Sequence, residues 1–108
     1  MTVTLPEPLD GYFAASNAHD ADRLAGFFAD DACVRDEKRA IEGRDAIRNW
    51  ADGTAEKYQH RTDVLTAEQK DDRCIVTARV TGRFPGSPIE LRYRFRLEDR
   101  QITELEIG

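Results

Sequence analysis

The chain has 108 residues, of which 40% are apolar, and its formal net charge at pH 7 is −5. This length suits one domain with a single modest core, and the periodic spacing of the apolar residues indicates a globular rather than a disordered chain. The negative charge argues against nucleic acid or an anionic membrane as a partner, and no apolar run is long enough to span a bilayer.

The N-terminal stretch and the two cysteines predict a reduced, cytoplasmic setting. Residues 1–11 contain no basic segment followed by an apolar one, so they do not predict a signal peptide. Cys33 and Cys74 have neither metal-ligand spacing nor the pattern of a disulfide framework. Two small buried thiols are therefore expected, with a disulfide between them as the alternative. Residues 1–8 contain two prolines and are predicted to be extended and loose.

Two short helices are predicted in the first part of the chain. Residues 9–18 carry apolar side chains at helical spacing, and residues 21–29 do so again, with Asp20 as the N-cap. Asp30 and Asp31 follow the second helix and are predicted to turn the chain.

The rest of the chain predicts one more helix and a series of strands. A strand, a short return strand and a third helix are expected at residues 32–36, 40–42 and 45–58. Beyond residue 58 the apolar period becomes two, which predicts strands at residues 59–68, 73–84, 88–97 and 101–107. Helices followed by an antiparallel meander indicate an α+β fold, with the helices packed on one face of a strongly curved sheet.

Charge pairing predicts the register of the hairpins, because opposite charges that face each other stabilise a strand pair by roughly 0.2–1 kcal/mol. The facing pairs expected are Phe95–Leu105, Arg94–Glu106, Arg96–Glu104, Asp63–Arg79 and Ala67–Ile75. This register turns one set of side chains inward: His60, Thr62, Val64, Val76, Ala78, Val80, Gly82, Phe84, Leu91, Tyr93, Phe95 and Leu97. The core is expected to bury Leu24, Phe27, Phe28, Ile47, Val80 and Phe95.

Residues spread over nearly the whole chain resemble a known family. They are Tyr12, Ala15, Asn17, Asp20, Leu24, Phe28-Ala29-Asp30-Asp31-Ala32, Asp36, Gly43-Arg44, Ala46-Ile47, Gly82, Phe84 and Gly86-Ser87-Pro88. Together they resemble the SnoaL-like branch of the nuclear-transport-factor-2-like superfamily. The resemblance implies a cystatin-like cone, in which a curved mixed sheet wraps around three helices from the N-terminal half and a pocket opens at one end. Members include ketosteroid isomerases, polyketide cyclases, epoxide hydrolases, dehydratases and modules without chemistry, so the activity is less well specified than the fold.

Among these relatives, the ketosteroid isomerases offer the sharpest comparison. They use an aspartate as the base, with a tyrosine and a protonated aspartic acid as hydrogen-bond donors to the enolate oxygen. By resemblance, Asp36 matches the base and Tyr12 matches the tyrosine donor. The third acid should fall near Tyr93, where this chain has no carboxylic acid, and the Tyr93 phenol is expected to replace it in part. The resemblance thus implies isomerase or cyclase chemistry without a cofactor, although the missing acid argues against steroid isomerisation itself.

Asp36 itself permits two interpretations. It is expected on the inward face of an apolar strand, where a carboxylate must be paired, hydrated in a cavity or raised in pKa. The last two states suit a general base that removes a proton next to a carbonyl. The alternative is a rim carboxylate that pairs with Arg35, Lys38 or Arg39.

Tyr12 and His60 also permit two interpretations each. Tyr12 lies on the buried face of the first helix, either as an oxyanion donor or as a core tyrosine whose hydroxyl reaches water or a carbonyl. His60 faces inward in the predicted register, either to relay a proton and polarise a carbonyl or as a satisfied histidine at a strand entrance.

The predicted pocket has apolar walls, and its expected ligand is a hydrophobic small molecule. The wall residues are Phe28, Ile47, Trp50, Val80, Phe84 and Tyr93. No metal and no cofactor are predicted, because the histidines and cysteines do not cluster and no phosphate-binding glycine loop occurs.

The outer face of the sheet predicts a homodimer, because it mixes charged and apolar side chains. The residues expected there are Leu65, Ile75, Thr77, Arg79, Arg92 and Arg94. Two classes of function stay open at this point. One is a small isomerase or cyclase, and the other is a non-catalytic ligand-binding or dimerisation module with the same cavity.

Overall fold

Three helices and six strands make up the fold in the computed structural model, which describes residues 5–108. The helices are α1 (Leu9–Asn17), α2 (Ala21–Ala25) and α3 (Arg44–Tyr58). The strands are β1 (Phe28–Asp36), β2 (Arg39–Glu42), β3 (Arg61–Lys70), β4 (Arg73–Thr81), β5 (Ile89–Glu98) and β6 (Gln101–Ile107). Residues 1–4 of the segment predicted to be loose lie outside the described residues, and residues 6–9 form a turn in which Leu9 N donates to Pro6 O (2.8 Å).

All six strands form one mixed sheet in the order β2-β1-β6-β5-β4-β3. The meander from β3 to β6 is antiparallel, as predicted, and β1 joins it through a parallel pairing with β6. Irregularities interrupt the pairings of β1 with β6, of β3 with β4 and of β5 with β6, and such bulges bend and twist a sheet. The α+β cone expected from the sequence is therefore the observed fold.

The predicted register holds in the β5–β6 hairpin and changes part of the way along β3. Phe95 faces Leu105 as expected. Asp63 also faces its predicted partner on β4, but Ala67 faces Val76 and not Ile75. The prediction for Ala67 was wrong because a bulge between Val64 and Thr66 inserts one residue into β3 and shifts every later pair by one position.

The second helix is shorter than predicted, and the following strand begins earlier. α2 ends at Ala25, and Gly26 follows as its C-cap. Phe27 O accepts a hydrogen bond from Ile102 N (2.9 Å), so the chain joins β6 directly after this cap. The turn predicted at Asp30 and Asp31 is therefore wrong, since both residues lie within β1.

The core lies between the helices and the inner face of the sheet. Five of the six residues expected to be most buried are buried: Leu24, Phe28, Ile47, Val80 and Phe95. The sixth, Phe27, is only partly buried, because it follows the shortened α2 at the edge of the core, with its ring against Gly11. None of the helices in residues 5–108 is long and apolar enough to cross a membrane.

Candidate functional site

A cavity of about 400 Å³ opens between the helices and the inner face of the sheet. Helices α1, α2 and α3, the end of β1 and the strands β4 to β6 all contribute to its lining. Most of its wall is aromatic or aliphatic, and its main polar groups are Tyr12, Ser16, Asp36, His60 and Tyr93. The arrangement is that of a small-molecule site, with apolar walls and a few polar groups that face inward.

Asp36 ends β1 and is bound by the third helix. The indole Nε1–H of Trp50 donates a hydrogen bond to Asp36 Oδ2 across 3.0 Å. Burial raises the pKa of Asp36, the Trp50 hydrogen bond lowers it, and the neighbouring charge of Glu37 raises it again. Within residues 5–108 no lysine or arginine lies at ion-pair distance from this carboxylate, and Arg39 acts on it only through its charge.

Two buried phenols face the same cavity as Asp36. Tyr12, on α1, is fixed by edge-on contacts with Phe28 and Phe95, whose ring centroids lie 6.0 and 5.3 Å away. Burial raises the pKa of Tyr12 well above its usual value, and the charges of Tyr93 and Asp36 add to this shift. The pKa of Tyr93 is raised to about 12, mainly by burial and also by Asp36. Both phenols are therefore protonated at neutral pH and can donate hydrogen bonds.

Ser16 and His60 form a second polar group in the cavity wall. Ser16 Oγ lies 3.1 Å from His60 Nε2, and both side chains line the cavity. Burial lowers the pKa of His60, and the nearby His19 lowers it further, so the imidazole is neutral at pH 7. His19 Nε2 contacts the backbone oxygen of His60 at 2.8 Å and also lines the cavity.

The far end of α3 is bound to two loops beside the cavity. The Tyr58 hydroxyl donates a hydrogen bond to Glu37 Oε1 (2.9 Å), and its ring packs edge-on against Phe84, with 5.8 Å between centroids. Arg83 N donates to the Tyr58 backbone oxygen (2.7 Å). These contacts hold the rim of the cavity at the β1–β2 turn and at the β4–β5 connection.

Seven of the nine predicted site residues line this cavity: Tyr12, Asp36, Trp50, His60, Val80, Phe84 and Tyr93. The prediction was wrong for Phe28 and Ile47, which are fully buried in the core behind the lining. Phe28 begins β1 and Asp36 ends it, eight residue steps later, at about 3.3 Å per step. Phe28 therefore lies at the opposite end of the strand from the residue that faces the cavity. Ile47 lies near the start of α3, one turn before Trp50.

Sequence reasoning missed Ser16 and His19 as site residues. Ser16 follows Tyr12 by four positions on the same helix, and this spacing places both on one face. His19 could not be placed because it lies in the turn after α1 with a positive φ of 55°. In the part of the chain that the structure describes, no group of three or more His, Cys, Asp or Glu side chains is arranged to hold a metal ion.

The curved mixed sheet around three helices, with a carboxylate and two phenols in one cavity, defines a protein of the class with a nuclear-transport-factor-2-like or cystatin-like cone. Residues 9–105 match the model of the SnoaL-like domain family, and the chain belongs to that family.

Solved structures with the same fold include one at substantial sequence identity. Protein SMa1630 from Sinorhizobium meliloti, a candidate polyketide cyclase, is 38% identical, with a TM-score of 0.93 over 96% of this chain and 95% of that chain. A ketosteroid isomerase-like protein from Catenulispora acidiphila, solved with trimethylamine, is 21% identical, with a TM-score of 0.87 over 97% of this chain and 86% of that one. A cystatin-fold protein from Novosphingobium aromaticivorans is also 21% identical, with a TM-score of 0.78 over 93% of each chain. No curated protein matches the chain.

Proposed function

We propose that the protein is a cofactor-independent isomerase or cyclase that transfers a proton next to a carbonyl group. One observation carries this proposal: a half-buried carboxylate with a raised pKa, Asp36, shares an apolar cavity with two protonated phenols, Tyr12 and Tyr93. A raised pKa makes a carboxylate a stronger base, and protonated phenols stabilise the negative oxygen that forms when a carbonyl compound loses its proton. The 38% identical candidate polyketide cyclase supports the same reaction class.

The proposed reaction begins with proton abstraction by Asp36. Trp50 occupies Oδ2, so Oδ1 takes the proton from the carbon next to the ligand carbonyl. The electron pair of the broken C–H bond moves to the carbonyl oxygen, which accepts hydrogen bonds from Tyr12 and, in place of the missing acid, from Tyr93. In an isomerase, Asp36 returns the proton to another carbon. In a cyclase, the carbanion attacks a second carbonyl of the same molecule and the new alkoxide takes the proton.

His60 belongs to this proposal as a secondary group. It lines the cavity as a neutral imidazole, and a neutral imidazole can accept a proton or relay one to the ligand. We propose that His60 contacts the ligand, and we assign the first proton transfer to Asp36.

The isomerase proposal can be tested with β,γ-unsaturated cyclic ketones, whose conversion to conjugated ketones is followed by ultraviolet absorbance. Asp36→Asn is expected to reduce turnover by at least about 100-fold, as is typical for loss of a general base. Tyr12→Phe removes one donor to the oxyanion and is expected to cost about 100- to 1,000-fold. Asp31→Asn is the matched control, because Asp31 lies on the same strand, is exposed and does not line the cavity.

A non-catalytic ligand-binding module is the second candidate, and two observations favour it. Tyr93 stands where the third acid is expected, and the Trp50 hydrogen bond offsets part of the increase in Asp36 basicity that burial causes. Carboxyl-detected NMR separates the two candidates. If Asp36 titrates near pH 4 and does not respond to a ligand, only the binding module survives. Wild-type protein that binds ketones without converting or exchanging their protons would lead to the same conclusion.

The partner proposed for either function is a hydrophobic small molecule. The apolar cavity walls support this, and the protein of the same fold from Catenulispora acidiphila was solved in complex with a small organic molecule, trimethylamine. Cytoplasmic location also remains a proposal, and the free thiols of Cys33 and Cys74 are consistent with a reducing compartment.

A homodimer through the outer face of the sheet is part of the same proposal. Ile75 is 39% exposed on this face, and the neighbouring Arg94 forms an ion pair with Glu106 (3.3 Å), so the face presents apolar groups and both signs of charge. Light scattering at tens of micromolar should give the mass of a dimer, and Ile75→Glu should shift it towards the monomer. A monomer mass for the wild type would contradict the proposal.

A further inference from the structure

The Ser16–His60 pair shares the ligand cavity with the proposed reaction centre but has no part in the first proton transfer. Ser16 lies four residues after Tyr12 on α1, and both side chains line the cavity. The two residues are therefore about 6 Å apart along the helix axis. The Ser16 side chain is only 9% exposed, so its hydroxyl is a buried polar group and not a surface one.

The direction of the hydrogen bond between Ser16 and His60 depends on which ring nitrogen of His60 carries the proton. With the ring proton on Nδ1, His60 Nε2, which lies 3.1 Å from Ser16 Oγ, accepts the hydrogen of the Ser16 hydroxyl. With its hydrogen directed to His60, Ser16 presents only oxygen lone pairs to the cavity.

The attachment of α1 to β3 does not depend on this bond. The Asn17 side chain donates to Thr62 O (2.8 Å) and accepts from Thr62 N (2.7 Å), which extends the edge of β3 by one pair of hydrogen bonds. His19 adds a contact with the backbone of His60. Two hydrogen bonds between Asn17 and Thr62 thus join α1 to β3, and the His19 contact joins the segments next to them, so the attachment does not require the Ser16–His60 bond.

We propose that Ser16, oriented by His60, is a second ligand subsite that accepts a hydrogen bond from a hydroxyl group of the ligand other than the oxygen bound by Tyr12. The ligand class is accordingly an apolar carbonyl or phenol compound with a second hydroxyl. This inference rests on the proposed function only in requiring that the cavity holds the ligand, and it applies equally to an enzyme and to a binding module.

Two pairs of phenols test the subsite at two spacings. Naphthol is compared with the naphthalenediol that has a second hydroxyl at the far end of the rings, and phenylphenol is compared with its symmetric diol, biphenol. Calorimetry at pH 8, where His60 is neutral, should show the diol of at least one pair binding roughly three- to tenfold more tightly than the mono-ol, as expected for one neutral hydrogen bond.

The variants then assign this gain to Ser16. Ser16→Ala should bring the affinities of diol and mono-ol to within about twofold of each other. His60→Leu should reduce the gain, because leucine offers the Ser16 hydroxyl no acceptor to orient it. Thr66→Ala is the control, since it removes an exposed hydroxyl from β3 outside the cavity and should keep the wild-type ratio. The subsite alone would be overturned if the diol still bound more tightly than the mono-ol in Ser16→Ala. It would also be overturned if the mono-ols bound the wild type and neither diol bound more tightly than its mono-ol. If no phenol binds, the ligand cavity and the proposed function fail together.

Discussion

Trp50 Nε1 lies 3.0 Å from Asp36 Oδ2, and this hydrogen bond connects the middle of α3 to the last residue of β1 inside the cavity. It opposes the effect of burial on the carboxylate, because a donor to the charged form stabilises that form. In the proposed reaction the bond also leaves Oδ1 as the oxygen that faces the ligand. Trp50 therefore controls both the orientation and the basicity of Asp36.

Trp50→Phe should raise the pKa of Asp36 above its wild-type value, because burial is retained while the stabilising hydrogen bond is lost. Carboxyl-detected NMR of labelled aspartate measures this directly, with Asp36→Asn to assign the resonance. An unchanged or lower pKa would show that the hydrogen bond has no influence on the charged form.

Asp36→Asn should stabilise the protein at pH 7. The folded-state pKa of Asp36 is raised above the ordinary value of 3.8, so the native state binds its proton more tightly than the unfolded state does. Native stability therefore falls as pH rises from about 3.8 through the folded-state pKa of Asp36. Asparagine carries no charge and can still accept the Trp50 hydrogen bond. Urea unfolding should show the stabilisation at pH 7 and a smaller difference near pH 4; a less stable variant at pH 7 would contradict this sign.

Phe28→Ala should cost roughly 3–5 kcal/mol of unfolding free energy, since its side chain is 0% exposed and alanine would leave a cavity. Phe27→Ala is the matched control, because the neighbouring ring is only partly buried and its loss should cost less. Denaturant unfolding measures both. A loss below about 1 kcal/mol for Phe28→Ala would contradict the burial of Phe28 in the core.

Two glycine-to-alanine changes should act in opposite directions. Gly53 lies inside α3 with open space around the position of a Cβ, so alanine should stabilise the helix by about 0.5–1 kcal/mol. At Gly82 a Cβ would lie 2.7 Å from the Tyr58 backbone oxygen, so alanine must displace the end of α3 or the β4–β5 connection. Thermal melting should show a higher midpoint for Gly53→Ala and a lower one for Gly82→Ala. Similar midpoints for both variants would argue against the close approach.

The sequence predicted the fold well wherever a single periodicity governs an element, and it failed where a tertiary contact ended one. Phe27 and Phe28 fit the apolar face of a longer helix, and nothing local distinguishes that helix from a strand. The pairing of Phe27 O with Ile102 N decides the outcome, and Ile102 lies at the other end of the chain. The bulge between Val64 and Thr66 escaped prediction because the strand pairs beyond it include no opposite charges that could indicate their register.

The candidate site was predicted from side chains that are unusual for their position. Asp36 is a carboxylate on an apolar strand, and Tyr12 is a phenol on a buried helix face, so each was visible in the sequence. Ser16 was not, because a serine within a helix is common and its importance depends on His60, which approaches from a different element. Phe28 and Ile47 were placed in the cavity because periodicity gives the buried face of an element but not the depth along it.

The place of β6 in the sheet has a consequence for how the chain folds during translation. β6 lies between β1 and β5, so it alone connects the β2–β1 part of the sheet to the β5–β4–β3 part. As the ribosome synthesises the protein, the β1–β2 hairpin and the β3–β5 meander emerge as separate pieces, each with an unpaired strand edge. The sheet can close, and the apolar cavity can take shape, only after residues 101–107 have emerged and inserted between them. The nascent chain is consequently most vulnerable to misassociation during this interval, as expected when pairing depends on contacts distant in sequence.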